Sequence, residues 1–266
     1  MKWGPEAKQA AVCVSFDNFG EALQIERNQW PADKPVGQHV TARKVLPALL
    51  ADLQQVSIKA TFFLEGWNGD VYADAIGTMV AAGHEIAIHG WRHEVWAAQT
   101  AEQQRIILHR SKSALAPIAG MPVGFRPPGG TTPDASRRHL IDAGLAYESG
   151  LGDSPAMTGQ LVSLPFRWEQ VDALYFEPAL AYLREDRFES PDLRAPKEWQ
   201  SALTAAVEEV VAAGSCCVVI FHPYLLGRVD GGFEVFRSFL QTISGNPDLW
   251  LTRCREAADW YRRQSA

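Results

Sequence analysis

Four apolar runs in this sequence each end on a residue able to do chemistry. AVCVSF runs into Asp17, EIAI into His89, VGF into Arg126 and CCVVIF into His222. Carboxylate, imidazole and guanidinium groups at strand ends suit acid–base and metal-assisted hydrolysis, provided the strands are parallel and their ends open on one face. One such coincidence carries little weight. Four of them, from segments spread between Asp17 and His222, point to one convergent site.

The sharpest local signal is His89-Gly90-Trp91-Arg92-His93. Two histidines four apart share one face if they sit on a helical turn, and imidazole suits Zn²⁺ and similar divalent cations. A bare HxxxH pair is a weak signal, because two unrelated loop residues give the same string. Its position just past a short apolar strand strengthens it. His39, His84, His109 and His139 stand alone and read as surface or ordinary hydrogen-bonding residues. Asp17 reads either as a general base beside a metal or as a turn carboxylate. Arg126 lies in the stiff turn Gly124–Gly130 and could orient a carboxylate bidentately or form a surface ion pair. His222 precedes Pro223 and titrates near neutrality, so it could act as a general acid.

The elements that must position these residues alternate along the chain. Strand-like runs fall at Ala11–Phe16, Ala60–Leu64, Glu85–Ile88, Val123–Phe125, Leu145–Tyr147, Leu161–Leu164, Cys216–Phe221 and Leu249–Leu251. Helical patterns fall at Thr41–Gln55, Val71–Ala82, Ala101–Ile118, Pro133–Ala143, Pro196–Ala213, Gly232–Ile243 and Arg253–Arg263. Thr132 before Pro133 reads as an N-cap, and Thr252 with Glu256 marks the start of the last helix. Such alternation predicts an α/β architecture with a largely parallel sheet. Segments 20–40 and 150–195 read as mostly irregular, and loops that long are usually functional or disordered.

Composition bounds the rest. A chain of 266 residues, 47% apolar and 21% charged, suits one α/β barrel, and no repeat or low-complexity linker divides 1–266. A net charge of −6 argues against nucleic-acid binding. No apolar run approaches the roughly 20 residues of a membrane span. The start MKWGPEAKQA lacks the apolar core of a signal peptide, so a cytoplasmic protein is expected. Cys13, Cys216, Cys217 and Cys254 contain no CxxC pair and read as core thiols.

Together these residues resemble the polysaccharide deacetylase family (carbohydrate esterase family 4). Ser15-Phe16-Asp17-Asn18, His89-Gly90-Trp91-Arg92-His93, Arg126-Pro127-Pro128-Gly129 and Ile220-Phe221-His222 are similar to its motifs, in the family's order. Tyr147-Glu148-Ser149-Gly150-Leu151, Leu164-Pro165-Phe166-Arg167-Trp168 and His222-Pro223 resemble the allantoinase, cyclic-imide hydrolase and peptidoglycan-deacetylase-like members. The resemblance implies a distorted (β/α) barrel that hydrolyses non-peptide carbon–nitrogen bonds. Its substrate would be a small amide, ureide or cyclic imide, or an N-acetylated sugar. In the implied roles, Asp17 is the base, Arg126 orients it, His222 is the acid, and Asn18, His89 and His93 hold a divalent metal such as Zn²⁺. Trp91, Glu148 and Trp168 would line the substrate pocket. The resemblance also implies a homo-oligomer, since members of this kind often form one.

One departure matters for chemistry. Asn18 stands where a metal-binding aspartate is usual, Phe19 cannot ligate, and the nearest acid, Glu21, lies beyond the Gly20 turn. A weak, easily stripped metal site is the expected consequence. The alternative is a catalytically impaired member that serves as a carbohydrate- or protein-binding module. Glu148 also replaces a more common aspartate.

Overall fold

The computed structural model describes residues 1–265. Nine strands make one sheet: β1 (Ala10–Asp17), β2 (Thr61–Leu64), β3 (Glu85–Ile88), β4 (Gly124–Phe125), β5 (Tyr147–Glu148), β6 (Ala156–Thr158), β7 (Leu161–Ser163), β8 (Cys216–Phe221) and β9 (Leu249–Leu251). Their order is β6-β7-β5-β4-β3-β2-β1-β8, with β9 attached to β1. Every pair is parallel except β6 with β7. The sheet curls into a distorted (β/α) barrel, and a lone bridge from Val171 to Ile220 reaches the outer edge of β8.

The hub is β1, buried at all eight positions. That is the pattern of a central strand covered on both faces. One edge of β1 pairs with β8 through six positions, Ala11 to Phe16. The other edge forks: Ala10–Val12 pair with β9, and Ser15–Asp17 pair with β2. The fork leaves room at the base of the barrel for polar side chains. There the buried Glu85 carboxylate accepts from the Thr61 hydroxyl (2.9 Å), the Tyr147 hydroxyl (2.9 Å) and the Arg255 amide (3.0 Å). Burial at this base raises the pKa of Glu85. A stacked and edge-on cluster of Phe16, Phe62, Phe221 and Phe236 fills the space between the sheet and its outer helices.

Local chemistry explains most element ends. Helix Ala101–Ala119 starts on a reciprocal cap, the Thr100 hydroxyl accepting from the Gln103 amide and the Gln103 side chain from the Thr100 amide. Helix Pro196–Ala213 opens on proline and closes on Gly214 at φ 62°. No helix among the described residues is long and apolar enough to cross a membrane. All four cysteines are free and buried.

Several expectations need correcting. Thr132 does not cap the helix Asp134–Asp142; Pro133 precedes it, and the Thr132 hydroxyl donates to Glu148 instead. The span Thr41–Gln55 begins with a wider π-helical turn over Thr41–Val45, and the span Val71–Ala82 breaks at Tyr72. Segment 150–195 is less irregular than its composition suggests. It holds the β6–β7 hairpin and the helices Asp172–Phe176 and Ala181–Phe188. These elements are short, and their burial depends on contacts that a local periodicity cannot register.

Candidate active site

Parallel register sets the site. Because Phe16 pairs with Phe221, Asp17 and His222 leave adjacent strands at the same level. Because Ile88 pairs with Phe125, His89 and Arg126 do the same. The His89 amide donates to the Leu64 carbonyl and the Arg126 amide to the Ile88 carbonyl, which extends each ladder one residue past its strand.

Arg126 is the keystone of the arrangement, with only 1% of its surface exposed. Its Nη1 donates to Asp17 Oδ1 at 2.6 Å and to Ser15 Oγ at 2.9 Å, and its Nη2 donates to Ser149 Oγ at 2.9 Å. The guanidinium lies 3.8 Å from the centre of the Phe63 ring. Charge-assisted hydrogen bonds and the aromatic face together hold a buried cation–anion pair whose geometry leaves Asp17 Oδ2 free. That oxygen faces His89 Nε2 at 3.9 Å, too far for a hydrogen bond.

The His89 Nδ1 lies 2.9 Å from the Arg126 carbonyl. A carbonyl only accepts, so this contact assigns the proton to Nδ1 and leaves a lone pair on Nε2. The His93 ring stands edge-on to His89 with centroids 4.8 Å apart. A helical turn does not bring the pair together, contrary to the sequence-based expectation. Residues 89–93 form a loop in which Gly90 (φ 76°) and His93 (φ 74°) are both left-handed. Burial lowers the pKa of His89, opposed by Asp17; burial, His89 and Arg27 push that of His93 well below its ordinary value. Both imidazoles are therefore neutral, the form that ligates metals.

His222 is oriented by a residue that local patterns did not reveal. Its Nδ1 lies 2.5 Å from Asp172 Oδ1, and its backbone amide donates to Asp172 Oδ2 at 2.6 Å. Burial disfavours the charged imidazole, but the Asp172 carboxylate outweighs it and raises the His222 pKa, with a smaller push from Asp17. The signal that could have found Asp172 is a lone acid inside the apolar run Val171–Phe176. Glu65 also escaped notice. It follows the strand TFFL directly, the same placement that marks Asp17 and His89, and it is fully buried.

The remaining residues are placed as follows. Asn18 is left-handed (φ 59°), and its buried Oδ1 has no hydrogen-bond partner. Glu21 is committed elsewhere, accepting from the Gly37 amide at 2.6 Å and from the Tyr72 hydroxyl. Trp91 is buried beneath the exposed Arg110 guanidinium, 3.9 Å from its ring centre. Glu148 is buried and takes hydroxyl donors from Thr132 (3.0 Å) and Ser163 (2.6 Å). Trp168 packs edge-on against Phe166. Separate surface grooves lie away from these residues, for instance between helices 101–119 and 134–142.

Two of the residues expected to ligate a metal carry orphaned polar atoms. Asn18 Oδ1 and His93 Nδ1 are buried without partners, and His89 Nε2 offers a lone pair beside a free carboxylate oxygen. Buried polar atoms rarely stay unsatisfied without a reason. Among the described residues no group of three His, Cys, Asp or Glu side chains is disposed to hold a metal. The third donor here would be an amide oxygen, which lies outside that set.

Comparisons with known proteins bear on the family and the fold. Residues 24–147 match the family model described as polysaccharide deacetylase. That segment contains His89, His93 and Arg126; Asp17, Asn18, Asp172 and His222 lie outside it. A peptidoglycan deacetylase of Helicobacter pylori is 27% identical over 128 residues, covering 48% of this chain and 43% of that protein. The chain thus spans less than half the length of that curated relative. A proposed polysaccharide deacetylase from Mycobacterium smegmatis superimposes with a TM-score of 0.83 at 26% identity, covering 99% of this chain and 93% of the other. The Puue allantoinase superimposes with a TM-score of 0.78 at 18% identity, covering 98% and 92%, a likeness of fold.

Proposed function

We propose that this chain is a metal-dependent hydrolase of non-peptide carbon–nitrogen bonds, of the polysaccharide deacetylase type that residues 24–147 match, and that its substrate is an N-acetylated sugar. The observation that carries this is the disposition of Asp17: one carboxylate oxygen is fixed by Arg126, and the other is free 3.9 Å from the neutral His89 ring, against which the His93 ring packs. The name of the Helicobacter relative favours an acetylated sugar over a ureide or cyclic imide.

Asn18, His89 and His93 would hold a divalent cation such as Zn²⁺, which when bound polarises the scissile carbonyl and makes a water more acidic. Asp17 Oδ2 takes the proton from the attacking water, while Arg126 keeps Oδ1 occupied and the carboxylate in one orientation. His222 holds its Nδ1 proton toward Asp172, so Nε2 is the edge that delivers a proton to the departing nitrogen. The raised His222 pKa keeps that proton available near neutral pH.

This assignment fixes a sign. The acid must be protonated to act, so kcat/KM falls as pH rises through the His222 pKa. Asp172→Asn removes the charge that raises it, so the alkaline limb should move to lower pH. A pH–rate profile reads this directly, and an unmoved alkaline limb would show that Asp172 does not tune His222.

A second reading rests on Asn18. A neutral amide binds a cation less strongly than a carboxylate, so the chain could be a catalytically impaired binding module. Asn18→Asp separates the two. We expect it to tighten zinc binding by roughly tenfold or more, about 1.4 kcal/mol. Metal content by elemental analysis after dialysis, for wild type and variant side by side, is the measurement. If neither protein takes up a divalent metal supplied in excess, the impaired module is the better description.

The substrate class is tested by incubating zinc-loaded protein with N-acetylated sugar oligomers, hydantoins and ureides. Release of acetate from the sugars supports the proposal. Turnover confined to hydantoins or ureides moves the substrate to small cyclic or linear amides.

A further inference from the structure

The turn that carries Asn18 is held by a second, deeper layer. Phe19 follows Asn18, and both polar groups of its backbone end on buried side chains. Its amide donates to Glu65 Oε2 at 3.3 Å, and its carbonyl accepts from Asn68 Nδ2 at 2.9 Å. Asn68 Nδ2 also donates to Glu65 Oε2 at 2.9 Å, joining the two halves of the clamp. Glu65 and Asn68 are both 0% exposed. Gly20, the next residue, is left-handed (φ 71°), and a Cβ there would meet the Tyr72 ring at 2.7 Å and Asn68 Oδ1 at 2.9 Å. The Phe19 ring itself is buried edge-on against Tyr72.

This clamp faces a conformational cost. Asn18 sits at φ 59°, a region that asparagine visits more readily than most residues but still at a penalty. Such a conformation persists only where its surroundings over-determine it. The groups on Phe19 and the closed space at Gly20 do so. With the backbone fixed, the Asn18 amide oxygen points into buried space without a protein partner.

We propose that Glu65 is a positioning residue of the hydrolase site: its backbone clamp on Phe19 holds the Asn18 side chain in place as a cation ligand. This rests on the hydrolase assignment above. Glu65 leaves the cation to Asn18, His89 and His93 and acts on the first of them through the chain. Burial, with a contribution from Asp17, pushes the Glu65 pKa up to about 8, so glutamine is its near-isostere at neutral pH. Residues that orient metal ligands typically matter by about 10–100-fold in metal affinity or activity.

The test compares wild type with Glu65→Gln, Glu65→Leu and Glu65→Asp. It reads melting temperature, zinc affinity by chelator competition, kcat and KM separately, and the Asn18 φ in crystal structures. Glutamine can accept from both donors and should keep all four readouts near wild type. Leucine has no acceptor, and aspartate is one methylene too short to reach Phe19. Both should lose about 10–100-fold in zinc affinity and in kcat, with KM little changed and Asn18 displaced from the left-handed region. Should leucine prevent folding, aspartate carries the comparison. A folded leucine or aspartate variant with wild-type zinc affinity and an unmoved Asn18 would overturn the proposal and leave Glu65 a structural residue. If wild type neither binds zinc nor turns over any substrate, the hydrolase assignment fails, and the Asn18 φ in the variants then decides the clamp by itself.

Discussion

His222→Ala should lower turnover by about 10²–10⁴-fold while the protein still folds, the typical contribution of a positioned general acid. The imidazole is buried against Tyr224, so its truncation also removes some packing. Asp172 loses one partner but still accepts from the residue 222 backbone amide. Leaving such a buried group half-satisfied costs about 1–3 kcal/mol, which in a chain of this size is a fall of very roughly 2–12 °C in melting temperature. Steady-state kinetics beside a thermal melt separates the two effects. Wild-type turnover in the variant would remove His222 from the mechanism, and loss of the native melt would leave the kinetics uninformative until His222→Gln is tried.

Arg126→Met has the largest expected effect on stability. It removes one member of a buried ion pair, and breaking such a pair from one side costs about 3–5 kcal/mol because the other charge stays buried. Asp17 loses its 2.6 Å donor, and Ser15 and Ser149 each lose a donor as well. Methionine replaces the aliphatic stem but not the guanidinium that lies over Phe63. Denaturant unfolding would measure the loss. The double variant Asp17→Asn/Arg126→Met should cost less than the sum of the two single changes, since the neutral amide no longer needs a counter-charge. Additive costs would mean that the two residues do not act as a pair.

The central strands were legible because their burial is written locally. Strands β1, β3, β8 and β9 are short apolar runs, and the structure gives Glu85–Ile88, Cys216–Phe221 and Leu249–Leu251 with the expected bounds. The parallel arrangement followed from their alternation with helices. With it came the expectation that Asp17, His89, Arg126 and His222 open on one face. Tertiary information was invisible to this approach. The histidine pair is joined by left-handed backbone at Gly90 and His93, and no helical periodicity encodes that. Asp172 sits in a five-residue helix whose partner, His222, lies just past β8, 50 positions away in sequence. Glu65 was missed for a different reason: it carries the strand-end signal, but Gly66 and Trp67 after it resemble no catalytic motif.

The account is tested most directly by the metal dependence of turnover. Purified protein is stripped with a chelator, dialysed, and titrated with Zn²⁺ while acetate release from N-acetylated sugar oligomers is followed. The stripped protein should be inactive, and activity should return and level off near one equivalent of zinc per chain. His93→Ala treated identically should recover little at any zinc concentration tested. Acetate release that survives stripping and ignores added zinc would contradict the metal-centred site built from Asn18, His89 and His93.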